Sequence, residues 1–251
     1  TRTGDIMRHR NRRRGGHNRK GMVGHMKRIA ILSAMPVELE GLAGTLGARE
    51  ETGTGFYRML RAENGGREIR LCCSGVGKVN AALCTQKLID RYAPEAVINM
   101  GIAGGLAEDL HTLDVVIGRE TAYHDFAPQE ALEHYFPFAS SFPCDGGLIR
   151  AAEDVCASLG GLRFRTGRIL SGDRFVESAA ERQRIRALGG DCCEMEGSAV
   201  AHVCHAAGVP VLIVRTISDM ADENAGMTYD ELESRAARQA NRIVAGILGK
   251  I

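Results

Sequence analysis

The sequence lacks long apolar runs, metal-ligand spacings and nucleophile motifs, and each absence excludes a class of protein. No run approaches the ~20 apolar residues that a membrane-spanning helix needs. There is no Cys-x-x-Cys pair, and His124, His202 and His205 have no convergent spacing, so no metal site is expected. No Ser-His-Asp pattern accompanies a nucleophile elbow, which argues against serine-hydrolase chemistry.

The eight cysteines include two adjacent pairs, Cys72-Cys73 and Cys192-Cys193. Most lie in apolar segments, where a reduced cysteine acts as a small core residue. No signal-peptide pattern precedes Lys27, because the apolar centre of such a peptide is missing. These features predict a cytoplasmic protein with reduced thiols.

Basic residues are concentrated at the start of the chain. Residues 1–25 hold 8 of the 32 Lys and Arg with a single acid, Asp5, which leaves 24 bases and 30 acids and a net charge of −6 for the rest. Residues 8–20 have almost no apolar side chains and cannot form a core. We interpret 1–25 as a disordered leader or as sequence added in cloning, since Gly24-His25-Met26 resembles a cloning junction. The alternatives are a nucleic-acid-binding arm and an Arg-rich transit peptide.

From residue 26 onward, strand and helix patterns alternate without an internal repeat or a linker. This order predicts one α/β domain, residues 26–251, with a mixed, mainly parallel twisted sheet and helices on both faces. Phe126–Asp145 has little periodicity and is predicted to be a loop. Predicted strands are Arg28–Ala34, Phe56–Ala62, Glu68–Cys73, Ala96–Met100, Asp114–Thr121, Arg163–Leu170 and Val211–Val214. Predicted helices begin at Pro36 and Thr228 and span Val79–Tyr92, Gly147–Leu159 and Ala179–Leu188, with another around Ala199–Ala207.

Polar groups and glycines directly follow six of the predicted strands. Parallel strands present their carboxyl ends at one edge of the sheet, where α/β proteins bind ligands, so these groups predict a cleft. Each signal is weak alone: Glu38 also suits a helix start, His124 also suits a structural role, and Gly75–Gly77 also suits a tight turn. The six groups are Glu38, Gly75–Gly77, Gly101–Gly105, Ser171–Phe175, Glu194–Glu196 and Ser218-Asp219.

The predicted cleft combines carboxylates with an aromatic residue. Carboxylates can protonate a leaving group, activate water and stabilise a cation-like sugar, which are the requirements of glycosidic-bond cleavage. Phe175 offers a ring that can stack on a planar base. The residues thus favour cleavage of a glycosidic bond and leave the substrate open.

The motifs that carry these groups resemble the 5′-methylthioadenosine/S-adenosylhomocysteine nucleosidases of the nucleoside phosphorylase superfamily. The resemblance runs from Met26 to the C-terminus. It implies hydrolysis of the N-glycosidic bond of adenine thionucleosides by a homodimer without cofactor, in methionine salvage. The motifs are I-L-S-A-M-P-V-E (31–38), S-G-V-G-K-V (74–79), N-M-G-I-A-G-G-L (99–106), S-G-D-R-F-V (171–176), E-M-E (194–196) and R-T-I-S-D-M-A-D (215–222).

The resemblance implies a role for each matched residue. Asp219 would protonate adenine N7, and Ser218 would orient Asp219. Glu196 would bind the ribose hydroxyls, with Met195 packed on the sugar, and Glu38 would take a proton from the attacking water.

The resemblance also implies the walls of the site. Phe175 would stack on adenine, and the backbone of Val176 would read the edge of the base. Glu194 and Arg215 match positions near the water, although a structural ion pair is an equal interpretation. The remaining members of the implied substrate site are Met35, Val76, Ala103, Gly104 and Tyr229.

Two departures from the family leave the substrate open. Ile102 stands where the family usually has Ser, close to the water, and Phe126–Asp145 lacks the usual Gly-rich sequence near the 5′ pocket. Alternatives are a futalosine hydrolase, a hydrolase or phosphorylase of 5′-deoxyadenosine or purine nucleosides, and a catalytically silent binding protein. Met100 occupies the place of a typical phosphate-binding Arg, which favours water as the nucleophile.

Overall fold

The computed structural model describes residues 26–51, 55, 57–219 and 229–251. The predictions for residues 1–25 and for the helix cap at Thr228 lie outside the described residues. The strands are β1 Arg28–Ser33, β2 Arg49–Glu51, β3 Met59–Asn64, β4 Arg67–Cys73, β5 Ala96–Gly105, β6 Val115–Tyr123, β7 Ser141–Pro143, β8 Phe164–Ser171, β9 Cys192–Glu194 and β10 Val211–Asp219. The helices are α1 Pro36–Thr45, α2 Lys78–Tyr92, α3 Glu130–His134, α4 Gly146–Ser158, α5 Ala179–Arg186, α6 Gly197–Ala207 and α7 Tyr229–Leu248.

The strands form one mixed sheet in the order β10-β6-β8-β9-β5-β1-β4-β3-β2, with β7 beside β6. β1 pairs in parallel with β4 and β5, β5 with β10, and β8 with β6 and β9. The pairs β6–β10 and β5–β9 are antiparallel. Because β5 pairs with both β9 and β10, five of the strands close into a ring. The predicted fold class is confirmed.

Helices cover both faces of the sheet. α1, α4 and α7 pack on one face, and α2 and α6 pack on the other. In α7 the buried residues recur three and four positions apart, which places them on one side of the helix. Among the described residues, no helix is both long and apolar enough to cross a membrane. The buried residues of α7 that pack on the sheet are Ala240, Ile243, Val244, Ile247 and Leu248.

β5 and β10 extend further than the sequence predicts. The apolar runs end at Met100 and Val214, but the strands continue to Gly105 and Asp219. The glycines of β5 are therefore inside a strand, where the absence of a side chain allows close approach. A Cβ on Gly101 would lie 2.7 Å from Oε1 of Glu38. The strand extension brings the polar ends of β5 and β10 into the cleft.

The predicted loop Phe126–Asp145 contains two short elements, α3 and β7. β7 pairs with β6, and its Phe142 is fully buried with its ring stacked 4.5 Å from the ring of His202. Elements of five and three residues are too short to produce a recognisable period, so the loop prediction was wrong here.

None of the eight cysteines, all of which lie in the described part of the chain, forms a disulfide. Seven are buried, and Cys73 is partly exposed. Their burial agrees with the interpretation of these residues as small components of the core.

Candidate active site

A cleft with a volume of about 170 Å³ lies beside β5, β9 and β10. The residues assigned to catalysis or substrate binding by the resemblance all line this cleft where their side chains are described, except Arg215. The side chains of Asp219 and Tyr229, which were also predicted, lie outside the described residues. The lining residues are Ala34, Met35, Glu38, Val76, Ile102, Ala103, Gly104, Arg174, Phe175, Val176, Cys193, Glu194, Met195, Glu196 and Ser218.

Glu38 lies in the first turn of α1 and is 3% exposed. Its Oε2 accepts hydrogen bonds from the backbone N–H groups of Ala34 (3.0 Å) and Met35 (2.9 Å). Its Oε1 accepts one from Ile102 N–H (3.0 Å). Burial raises the pKa of Glu38 above its usual value, while these hydrogen bonds and Arg215 oppose the rise. Three backbone donors thus fix a buried carboxyl group at the cleft wall.

Glu196 precedes α6 and is 7% exposed. Its Oε1 accepts a hydrogen bond from the backbone N–H of Gly77 (2.7 Å). Burial, followed by the nearby charge of Glu194, raises the pKa of Glu196 to about 7. Glu196 therefore changes its charge near neutral pH, and its orientation depends on the turn that leads into α2.

Glu194 ends β9 and forms a buried ion pair with Arg215 of β10, at 2.5 Å between Oε2 and Nη2. Oε2 also accepts hydrogen bonds from the N–H groups of Glu196 (3.0 Å) and Gly197 (2.7 Å), and Oε1 accepts one from the Ser171 hydroxyl. Burial raises the pKa of Glu194, but Arg215 and these hydrogen bonds bring it below its usual value. Glu194 is thus a charged anchor for the chain segment that carries Glu196.

The Arg215 guanidinium is buried, and polar groups of the protein hold it in place. Its Nη2 donates to Asn99 Oδ1 (2.5 Å), and its Nη1 donates to the carbonyl oxygens of Val214 (3.0 Å) and Asn99 (3.3 Å). Arg215 is buried and is not among the residues that line the cleft. This arrangement matches the interpretation of Glu194 and Arg215 as a structural ion pair.

One wall of the cleft presents an accessible aromatic ring. Phe175 is 60% exposed and lies in the segment between β8 and α5. Val76, in the turn before α2, is likewise exposed. An exposed ring beside buried carboxyl groups can bind a flat, apolar group such as a nucleobase by stacking.

The polar end of β10 reaches the same cleft. Ser218 is buried and lines the cleft. The backbone of Asp219 pairs with Gly104, itself a lining residue. The strand therefore brings the backbone of Asp219 beside the cleft.

His124, the other acid–base candidate, does not line the cleft. It follows β6, and a Cβ on Gly172 would lie 2.3 Å from its ring. Burial lowers the pKa of His124, which favours the neutral ring. In the part of the chain that the structure describes, no group of His, Cys, Asp and Glu residues has the arrangement of a metal site.

The chain is similar to known proteins over most of its length. Residues 28–249 match the family model described as the phosphorylase superfamily. The 5′-methylthioadenosine/S-adenosylhomocysteine nucleosidase of Actinobacillus succinogenes is 39% identical over 229 residues, covering 89% of this chain and 99% of that protein. The chain belongs to this nucleosidase family of the phosphorylase superfamily.

Solved structures of the superfamily share the fold. The Neisseria meningitidis 5′-methylthioadenosine/S-adenosylhomocysteine nucleosidase in complex with methylthio-immucillin-A matches with a TM-score of 0.82 and 36% identity, covering 90% of this chain and all of that chain. A futalosine hydrolase of Helicobacter pylori matches with a TM-score of 0.81 and 28% identity, covering 90% and 99%. The fold alone therefore does not separate these two kinds of hydrolase.

The nucleosidase motifs did not reveal all of the site. Cys193 lines the cleft outside those motifs, and Ala34 and Arg174 line it within them without having been assigned a role. Cys193 directly precedes the E-M-E motif, so its position in the chain was the available signal. The N–H of Gly77 binds Glu196, and a backbone donor carries no signal in the residue type.

Proposed function

We propose that the protein hydrolyses the N-glycosidic bond of adenine thionucleosides, 5′-methylthioadenosine and S-adenosylhomocysteine, and releases adenine. The main support is that two buried carboxyl groups with raised pKa values, Glu38 and Glu196, line one cleft with the exposed ring of Phe175. Relatives at 36–39% identity over nine-tenths of the chain carry the nucleosidase name.

We assign protonation of the adenine leaving group to Asp219. Its carboxylic acid protonates N7 of adenine, so that the electron pair of the breaking C1′–N9 bond is taken up by a neutral leaving group. Ser218 orients Asp219, Phe175 stacks on the base, and the backbone of Val176 hydrogen-bonds to its edge. These roles rest on the family motifs and on the position of β10 beside the cleft.

We assign ribose binding and water activation to two glutamates, Glu196 and Glu38. Glu196 binds the ribose hydroxyls, and its negative charge favours the cation-like sugar of the transition state, with Met195 packed against the ring. Glu38 takes a proton from water as the water oxygen bonds to C1′. A raised pKa suits a general base, because its conjugate acid then lies closer to the working pH.

The walls of the substrate site come from several segments. Residues near the 5′ group and the ribose are small or apolar, which suits a thioether substituent. We assign Met35, Val76, Ala103, Gly104 and Tyr229 to this substrate-binding surface, with Glu194 as the anchor of Glu196.

The second candidate is hydrolysis of another nucleoside, such as futalosine. It is supported by the nearly equal structural similarity to the futalosine hydrolase and by the unusual segment Phe126–Asp145. The higher identity to the thionucleoside relatives favours the first assignment.

We also propose that the protein is a cytoplasmic homodimer that acts in methionine salvage. Three aromatic residues of the segment between α3 and β7, Tyr135, Phe136 and Phe138, are exposed together. Exposed apolar patches of this kind mark interaction surfaces, and free thiols suit a reducing compartment. Sedimentation velocity measures the oligomeric state. A dimer that becomes monomeric when Phe136 and Phe138 are changed to Ser supports an interface at these aromatic residues.

The decisive experiment compares adenine or base release from 5′-methylthioadenosine, S-adenosylhomocysteine, 5′-deoxyadenosine, futalosine and inosine. We expect the two thionucleosides to give the highest kcat/KM. Preference for futalosine or inosine supports the second candidate instead. Binding of the thionucleosides without any base release identifies a silent binding protein.

A further inference from the structure

Lys78, Asp125 and Asp173 form a charged cluster at the edge of the cleft. The Nζ of Lys78 donates to both carboxylate oxygens of Asp125, at 2.7 and 2.8 Å, and lies 3.4 Å from Oδ2 of Asp173. The backbone N–H of Asp173 donates to Oδ2 of Asp125 (2.8 Å). One ammonium group thus joins the start of α2, the segment after β6 and the segment after β8.

The backbone at Lys78 connects this cluster with the cleft. Lys78 is the first residue of α2, and Gly77 before it has a φ of 98°. The N–H of Gly77 donates to Glu196 (2.7 Å), and the adjacent N–H of Lys78 donates to Oδ1 of Asp173 (3.0 Å). Two consecutive amides therefore hold groups from two different segments. A shift of Lys78 would change both hydrogen bonds at once.

Asp173 connects the cluster with the aromatic wall. Phe175 and Val176 follow Asp173 within three residues, in a stretch between β8 and α5 without regular structure. Phe175 is largely exposed and so receives little support from packing. Fixing the backbone of Asp173 therefore limits where the ring of Phe175 can lie.

The ammonium group is needed because the two carboxylates would otherwise repel each other. Asp125 approaches Asp173 closely enough to accept a hydrogen bond from its backbone. The side chains of Lys78 and Asp125 are 21% and 23% exposed, so water screens their attraction less than at an open surface. Lys78 Nζ also lies 5.3 Å from the centre of the Tyr123 ring, a favourable position for a cation.

We propose that Lys78, Asp125 and Asp173 are positioning residues that set the spacing between the Gly77 N–H, which holds Glu196, and the segment that carries Phe175. This inference rests on the proposed function for its kinetic consequence. The geometric part, that Lys78 orders both segments, stands without it.

The kinetic test replaces Lys78 by Met, which keeps the length of the side chain and removes the charge. Small displacements of catalytic groups cost up to ~10²-fold, so we expect kcat/KM for methylthioadenosine to fall by about 10- to 100-fold. Lys250→Met is the matched control, because Lys250 pairs with Asp154 at 3.7 Å and does not line the cleft. Lys250→Met should keep the wild-type kcat/KM, and Lys78→Arg should restore part of the loss.

The pH profile separates positioning from a general loss of stability. The Gly77 hydrogen bond lowers the pKa of Glu196, against burial and Glu194, which raise it to about 7. Glu38 and Arg215 also act on Glu196, with opposite signs. Loss of this hydrogen bond should move the acidic limb of kcat/KM to higher pH in Lys78→Met. An unshifted limb together with an unchanged kcat/KM overturns the proposal.

The third measurement needs no activity. Hydrogen–deuterium exchange should be faster in peptides that cover residues 74–78 and 172–178 in Lys78→Met, and unchanged in Lys250→Met. Unchanged exchange in both peptides overturns the proposal whether or not the wild type is active. Wild-type protein that releases no adenine while Lys78→Met shows faster exchange refutes the proposed function and leaves the positioning role supported.

Discussion

Arg215 and Glu194 form an ion pair of 2.5 Å whose side chains are only 2% and 3% exposed. The pair joins β10 to β9, and the charge of Arg215 also acts on Glu38 and Glu196. Removing one partner of such a pair leaves an isolated buried charge, whereas removing both does not. We expect this pair to stabilise the cleft and to leave no uncompensated charge on Arg215 for a phosphate ion.

We expect Glu194→Gln and Arg215→Met each to destabilise the protein by about 3–5 kcal/mol, which lowers Tm by roughly 10 °C. The double variant should lose less than the sum of the two. Thermal unfolding measures both effects. Glu50→Gln is the control, because its pair with Arg58 is 3.5 Å long and exposed, and such pairs contribute about 0–1 kcal/mol. Strictly additive losses would contradict a buried, coupled pair.

The raised pKa of Glu196 predicts that the stability of the folded protein depends on pH. Its pKa is about 7 in the folded protein and lies near 4.5 in the unfolded chain. The folded state binds more protons between these values, so the contribution of this group to stability falls as pH rises through that window. Glu196→Gln keeps an acceptor for Gly77 without the charge. We therefore expect its Tm relative to the wild type to increase from pH 5 to pH 8.

The matched control for this pH effect is Glu40→Gln, since Glu40 is exposed on α1. Its Tm difference from the wild type should stay constant over the same range. A constant difference for Glu196→Gln as well would mean that Glu196 is not buried as a charge above pH 7.

We expect Asp219→Asn to lose kcat by about 10²- to 10⁴-fold with KM close to the wild-type value. The amide retains the size of the carboxyl group and can still hydrogen-bond to adenine, but it cannot deliver a proton. Steady-state kinetics with methylthioadenosine measures both constants. Asp90→Asn, an exposed change on α2, should behave like the wild type. A near-normal kcat in Asp219→Asn would remove Asp219 from the acid role.

The fold class and the strand-end groups of the cleft were predictable from side-chain type, whereas individual substrate-site residues such as Met35 and Val76 came from the resemblance to the nucleosidase family. Apolar runs mark buried strands, and a polar residue after such a run marks the strand end. These patterns place the strand end too early where a strand continues through residues of other types, as in β5 beyond Met100 and in β10 beyond Val214. There the pairing of β5 with β10 and β9 determines the strand ends, and pairing is a long-range property.

The orientation of Glu38 and Glu196 was not predictable from the sequence for a related reason. Backbone N–H groups of Ile102 and Gly77 hold Glu38 and Glu196, and any residue type supplies such a donor. The ion pair of Lys78 with Asp125 joins positions 47 residues apart in the chain. A single sequence contains no signal that links such positions before the fold is known.

We expect a chain that begins at Met26 to keep the kcat/KM and the Tm of the 251-residue chain. Residues 1–25 have eight bases and one acid, and the stretch 8–20 has almost no apolar residues that could pack on the domain. Activity assays and thermal unfolding of both forms measure this. A Tm lowered by several degrees in the shorter form would show that the segment packs on the domain.

We expect water, and not phosphate, to be the nucleophile. Among the described residues that line the cleft, Arg174 is the one cation, and its exposed guanidinium lies 3.6 Å from Glu181. Arg215 is already neutralised by Glu194, and Met100 is buried and uncharged. A phosphate dianion beside Glu38 and Glu196 would therefore meet like charges, and the one lining cation, Arg174, is already paired with Glu181, which disfavours phosphate binding.

Water meets no such repulsion, and Glu38 can accept its proton. We expect product analysis of methylthioadenosine turnover to give the free 5-methylthioribose sugar, at the same rate in buffers with and without phosphate. Ile102 offers a test of where the water binds, because its N–H donates to Glu38 while its side chain lines the cleft. Ile102→Ser, which retains the N–H and adds a hydroxyl, should keep hydrolysis as the reaction. A sugar 1-phosphate product, or a rate that rises with phosphate, would contradict hydrolysis and identify a phosphorylase.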